Sequence, residues 1–388
     1  IGSAYGFGVI MARSFGAGDF KEFRKYFFNS IILSIIIGIV FTVVLSLVNS
    51  YLLKLISTPA ELFDGAHKFL FILYIGCASS LIYNLFAATL RSIGNSFTPV
   101  LFLLLSVVIN AILAYVFVAI FGWGVEGSAV ATIIAQAASA LCCYIYINRK
   151  YPQIRLTKQD AVLDISHMKN LILQGAPMGM QFSFTGIGLI VVQKFLNGFG
   201  TNYIAGYSVG VRIQNIVSYV YVALGTAIST FISQNIGAKR MYRIPKAVKY
   251  TTLITIGCAI FSTIVIRFFG PNFISLFTTA PNEELTHATV TYFNNVTLAY
   301  IPLGLIILYR SALQGYGFPI TAMMAGIIEL INRVVIVIFL TDSFGFLAIC
   351  LADSVNWVIT AVFLLTVYFI AARSHKNKNK EFYIEPSM

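Results

Sequence analysis

The chain has 388 residues, of which 58% are apolar and only 10% charged, and it carries a net charge of +12. Too little polar surface remains to cover a soluble globule of this size, so the expected solvent is lipid. The basic excess has no soluble face on which to build a nucleic-acid footprint, which excludes that class of function.

Apolar runs of about 20 residues recur along the sequence, each long enough to cross a hydrocarbon core of about 30 Å as a helix. Residues 1–15 begin without Met on a Gly-rich apolar stretch and read as the second half of a span. No basic region precedes an apolar one with a small-residue cleavage site, so a secretory signal does not fit. Complete spans follow at 26–49, 69–90, 97–121 and 125–147, then a basic connection at 149–167. Six more follow at 168–195, 203–235, 249–269, 286–313, 319–340 and 345–372, ahead of a basic tail at 374–388.

Lys and Arg crowd every second connection. One side holds Lys21, Arg24 and Lys25; Arg91; Arg149, Lys150, Arg155, Lys158 and Lys169; Lys239, Arg240, Arg243, Lys246 and Lys249; Arg310; and Arg373, Lys376, Lys378 and Lys380. These are 19 of the 26 basic residues, and by the positive-inside rule they face the cytoplasm. Arg13, Arg212 and Arg333 fall within spans. The five cysteines all sit in apolar segments without metal-ligand spacing, and the four histidines stand singly at or beyond helix ends. No Gly-rich loop ending in Gly-Lys-Ser/Thr occurs, so the sequence offers no ATP site.

An internal repeat organises the spans. Gly16-Ala17, leaving one apolar helix for a basic loop, corresponds to Gly237-Ala238 at an offset of 221. Leu90-Arg91-Ser92-Ile93-Gly94 corresponds to Leu313-Gln314-Gly315-Tyr316-Gly317 at an offset of 223. Two signatures at nearly one offset mark a duplication whose halves share one orientation. The expected fold is an all-α, multi-pass membrane protein of two six-helix lobes in parallel repeat. The first lobe, 1–148, is expected to lack helix 1 and part of helix 2, about 50 residues by helix and loop length. A cytoplasmic linker at 149–167, a second lobe at 168–373 and a cytoplasmic tail at 374–388 complete the plan.

ARSFGAGDFKEFRKY at 12–26, LRSIGNSFTP at 90–99, FGWGVEGSAVAT at 121–132, GAPMGMQFS at 175–183, SQNIGAKR at 233–240 and ALQGYGF at 312–318 together resemble the multidrug and toxic compound extrusion (MATE) family. The resemblance implies two six-helix lobes around a V-shaped cavity in a bacterial cytoplasmic membrane. It implies alternating access, and export of drugs, organic cations or amphiphilic metabolites against inward Na⁺ or H⁺, with no other cofactor. A lipid-linked oligosaccharide flippase of the same wider superfamily is the alternative, and would need more cationic cavity residues than Arg13 and Arg212 to hold pyrophosphate. The acidic residue that many members carry in the first helix would lie before residue 1, and the carboxylates that some carry in the helix after the mid-chain loop and within the span at 286–313 have no counterpart here, so their Na⁺ site does not transfer and coupling is expected either through Glu329 and Asp353 or through that first helix.

Ionisable residues inside a membrane are costly and point to function. Glu329, with Arg333 one turn on and Asp353 on the last helix, forms the candidate cation-coupling set, with a structural ion pair as the competing reading. Candidates for lining a substrate cavity are Gln181 and Thr185, which share a helical stripe with Gln193 and Asn197, together with Arg212, Asn215, Tyr300 and Asn110. For the amides the competing reading is hydrogen bonding between helices. Pro302 is expected to kink its span.

Overall fold

Lipid leaves no water to satisfy backbone amides, so a chain of long apolar runs must pair them internally. The computed structural model describes residues 2–55, 60–275, 277 and 282–384, and all regular structure among them is helical. The first helices are α1 Gly2–Gly16, α2 Phe20–Leu55, α3 Ala60–Ile75, α4 Cys77–Ser92, α5 Phe97–Tyr115 and α6 Gly124–Lys150. Then come α7 Ile165–Leu196, α8 Thr201–Gly237, α9 Arg243–Ile274, α10 Glu283–Val296, α11 Tyr300–Tyr316, α12 Pro319–Phe344 and α13 Phe346–Lys378. Among the described residues nine helical segments are long and apolar enough to cross a membrane, α10 and α11 counting as one. The α3–α4 pair, bent by 45°, makes a tenth. Of the expected tail, residues 385–388 lie outside the described residues.

Two spans are not the straight rods the sequence suggests. The run at 69–90 breaks at Gly76, where a Cβ would collide with the side chain of Ile133 on α6. A residue without a side chain lets α6 approach there, and the chain bends as it passes. The run at 286–313 breaks at a 3₁₀ turn, Thr297–Ala299. Pro302 stands just beyond it, and its ring and missing N–H cannot serve the carbonyl of Leu298 four residues back.

Contacts divide the chain into two compact units, Ser3–Gly175 and Ala176–Met388. In the first, α2 packs on α3 and α4, while α4 and α5 pack on α6, around Phe7, Met11, Phe23, Phe27, Leu85 and Ile147. The segment after α6 returns to α2. Arg24 Nε donates to Asp160 Oδ2 at 2.9 Å, and Asn29 donates to the Val162 carbonyl at 3.1 Å and accepts from the Asp164 amide at 3.0 Å. In the second unit α11 lies against α8, α9 and α13, α10 against α8, and α12 against α13. Tyr221, Tyr292 and Tyr300 fill its centre. Apolar side chains crowd the outside as well: Leu47 is 79% exposed and Phe339 72%, as lipid-facing positions are.

The repeat reappears as matched backbone. α4 and α11 end in the same cap: the amide of Asn95 reaches the carbonyl of Leu90 at 2.9 Å, and that of Phe318 reaches Leu313 at 2.9 Å. The intervening Gly94 and Gly317 have φ of +89° and +93°. This six-to-one closure needs a left-handed residue, which is why glycine occupies both positions. At the ends of α1 and α8 the equivalent residues are Gly18, φ +72°, and Lys239, φ +56°.

Candidate functional site

The second unit gathers its ionisable groups in one place. α12 starts on Pro319, which suits the first turn of a helix, and carries Glu329 and Arg333 one turn apart on the same face. α13 brings Asp353 to that face. Each of the three is only 4% exposed. Arg333 Nε donates to Asp353 Oδ1 at 2.9 Å, and Arg333 Nη1 lies 3.9 Å from Glu329 Oε2. On the other side Arg310, from α11, donates through Nη2 to Glu329 Oε1. The result is a chain of alternating charge, Arg310–Glu329–Arg333–Asp353, that joins three helices and sums to zero.

α7 closes the cluster. The Thr185 hydroxyl donates to the Gln181 carbonyl at 3.2 Å and lies 3.4 Å from Glu329 Oε2. Gln314 Nε2, on α11, donates to Gln181 Oε1 at 3.0 Å. Two glycines make the approach possible. A Cβ on Gly188 would stand 3.3 Å from Arg333 Cδ, and one on Gly326 would stand 3.2 Å from Gln181 Cγ. Beyond Asp353, Asn332 donates to Asn356 Oδ1 at 3.2 Å. Buried charges are tolerated only when paired and hydrogen-bonded, and here each carboxylate faces a guanidinium.

The expected candidates therefore separate. Glu329, Arg333, Asp353, Gln181 and Thr185 come together. Arg212 and Asn215 are exposed on α8, Arg212 with its guanidinium 6.0 Å from the centre of the Phe277 ring. Tyr300 is fully buried in the core of the second unit. Asn110, in the first unit, donates to Thr132 Oγ1 at 3.0 Å and ties α5 to α6. Gln193 donates to Asn197 Oδ1, in the 3₁₀ turn that follows α7, at 2.7 Å, so these two members of the stripe bond to each other. Arg310 corrects the sequence reading, which counted it with the cytoplasmic connections. It lies within α11, six residues before Tyr316, and its side chain, 11% exposed, packs against Glu329. Its place inside the apolar run ending at residue 313 was the signal.

The MatE family model matches residues 1–116 and 177–339. Over 280 residues the chain is 26% identical to the probable multidrug resistance protein YpnP of Bacillus subtilis, covering 71% of this chain and 61% of that protein. It thus spans about three fifths of the length of that relative. Over 342 residues it is 23% identical to the FAD transporter of Shewanella oneidensis, covering 85% of this chain and 74% of that protein. A crystal structure of MATE in the bent conformation superposes with a TM-score of 0.88 at 18% identity, covering 98% of this chain and 84% of that one. The fold is the same.

Proposed function

This chain belongs to the MatE family, the multidrug and toxic compound extrusion transporters, and from that premise we propose that it exports small amphiphilic molecules across the bacterial cytoplasmic membrane by secondary active antiport, with the proton as coupling ion. The observation that carries this reading is Glu329, a buried carboxylate held between Arg310 and Arg333 and touched by Thr185.

A Na⁺ ion needs several oxygen ligands at once, and here each carboxylate already faces a guanidinium that the ion would have to displace. A proton needs no such vacancy. It binds the carboxylate oxygen itself, neutralises Glu329 and takes the cluster from zero to one net positive charge. The attraction that ties α11 to α12 through Arg310 then weakens, while Arg333 keeps Asp353. Loss of the proton restores the clasp. Two packings biased by one proton are what an alternating-access cycle needs.

The relatives' names include multidrug resistance proteins and an FAD transporter, so the transport test takes one drug and FAD. The purified chain is reconstituted in proteoliposomes, and the movement of ethidium and of FAD is followed under an imposed pH gradient at constant Na⁺, then under a Na⁺ gradient at constant pH. The proposal expects the pH gradient to drive movement of at least one substrate and the Na⁺ gradient to drive neither. Movement driven by Na⁺ alone would overturn it.

A further inference from the structure

A second site lies apart from the charge cluster, at the end of the second unit that the basic residues place in the cytoplasm. A pocket of about 500 Å³ opens between α9, α11 and α13. Its floor is aromatic: Tyr309 and Tyr368 meet edge to face at 4.8 Å, Tyr316 lies 6.1 Å from Tyr368, and the Tyr309 hydroxyl is 3.1 Å from Thr252 Oγ1. Lys249, Arg373 and Lys376 form its rim, all exposed, and among the described residues no carboxylate lines it. Its walls run outward along Leu253, 56% exposed, and Phe369, 63% exposed, which are apolar positions on the lipid side of their helices.

Three cations with no counter-charge among the described lining residues call for an anion. The wall calls for something else as well, because a free phosphate would leave Leu253 and Phe369 unused. Tyrosines and basic side chains lining one pocket suit the membrane–water interface, where an amphiphile has its headgroup and the start of its acyl chain. Basic pockets between spanning helices on the cytoplasmic side suit anionic headgroups. We propose that this pocket holds one anionic phospholipid of the cytoplasmic leaflet, with its phosphate among Lys249, Arg373 and Lys376 and an acyl chain along Leu253 and Phe369.

The test is native mass spectrometry of the full chain in detergent, titrated with phosphatidylglycerol and with phosphatidylcholine of the same acyl chains. The expected result is one preferred phosphatidylglycerol, weakened about tenfold or more by Lys249→Gln/Arg373→Gln/Lys376→Gln. The control Arg149→Gln/Lys150→Gln/Lys158→Gln removes the same charge from exposed cytoplasmic positions outside the pocket and leaves binding unchanged. Equal loss in both triple variants would reduce the effect to general surface charge and overturn the proposal, as would equal binding of the two lipids. Displacement of the lipid by glycerol 3-phosphate or inorganic phosphate would overturn it in favour of a simple anion site. If the pocket triple variant does not fold, Thr252→Phe fills the floor without touching any charge. Phosphatidylglycerol binding must then fall, and its persistence refutes the site. None of these readouts depends on proton coupling at Glu329.

Discussion

Arg310 on α11 donates to Glu329 on α12 across 19 positions of sequence, and that single contact makes the charge of α12 depend on the placement of a neighbouring helix. Removing one partner of a buried pair strands the other, whereas replacing both with apolar groups does not. Arg310→Met and Glu329→Met are therefore each expected to lower stability by about 3–5 kcal/mol, and the double variant to recover most of that loss. Thermal unfolding of the four proteins in one detergent checks the cycle. Additive losses would mean that the pair does not act as a pair.

Gly188 tests the packing behind the cluster. A methyl group there would stand 3.3 Å from Arg333 Cδ, so Arg333 must yield by a few tenths of an ångström and loosen its 2.9 Å bond to Asp353. Overpacking is expected to destabilise Gly188→Val more than Gly188→Ala, where a gain of about 1 kcal/mol in helix propensity offsets the contact. Melting curves of the two variants should fall in that order.

Much of this was legible in the sequence, and the reasons are physical. An ionisable residue inside an apolar run is conspicuous because lipid makes it costly, which exposed Glu329, Arg333 and Asp353. Arg310 escaped because a basic residue about a turn from a cytoplasmic helix end is what topology alone predicts. The i, i+4 spacing put Gln181 and Thr185 on one face, but spacing cannot tell which end of a stripe meets a neighbour, and Gln193 and Asn197 bond to each other. Arg212 and Tyr300 show the remaining gap. Sequence gives depth along a helix and not the direction a side chain faces, and one of these is exposed on Phe277 while the other is sealed in the core.

The repeat contains its own stability experiment. Lys239 adopts the left-handed conformation that Gly18 supplies at the matching turn, a conformation costing a side-chain-bearing residue roughly 1 kcal/mol. Its ammonium lies 5.4 Å from the centre of the Phe382 ring, a contact that offsets part of that cost. Lys239→Gly is thus expected to be nearly neutral in the intact chain and stabilising by about 1 kcal/mol when Phe382→Ala has already removed the ring. Gly18→Ala, with no such compensation, is expected to destabilise by about as much.

The segment between α6 and α7 carries a pH dependence. Burial raises the Asp160 carboxyl, but the Thr157 hydroxyl and amide and the Arg24 guanidinium outweigh it and hold its pKa below the usual carboxylate range. A depressed native pKa contributes stability that is present above the unfolded value of about 3.9 and is lost as pH falls through the native value. Protection of the amides across residues 157–164, taken relative to their intrinsic exchange rate at each pH, is therefore expected to fall below about pH 4, and Asp160→Asn to abolish that pH dependence while lowering protection at neutral pH.

The most direct test of the central claim follows protons rather than substrate. A pH-sensitive dye sealed in proteoliposomes reports whether addition of a transported substrate moves protons in the opposite direction, in the unaltered chain and in Glu329→Gln, which keeps the side chain's shape and one acceptor oxygen. Substrate-driven proton movement in the first and none in the second is the result predicted here. Undiminished proton movement in Glu329→Gln would contradict it.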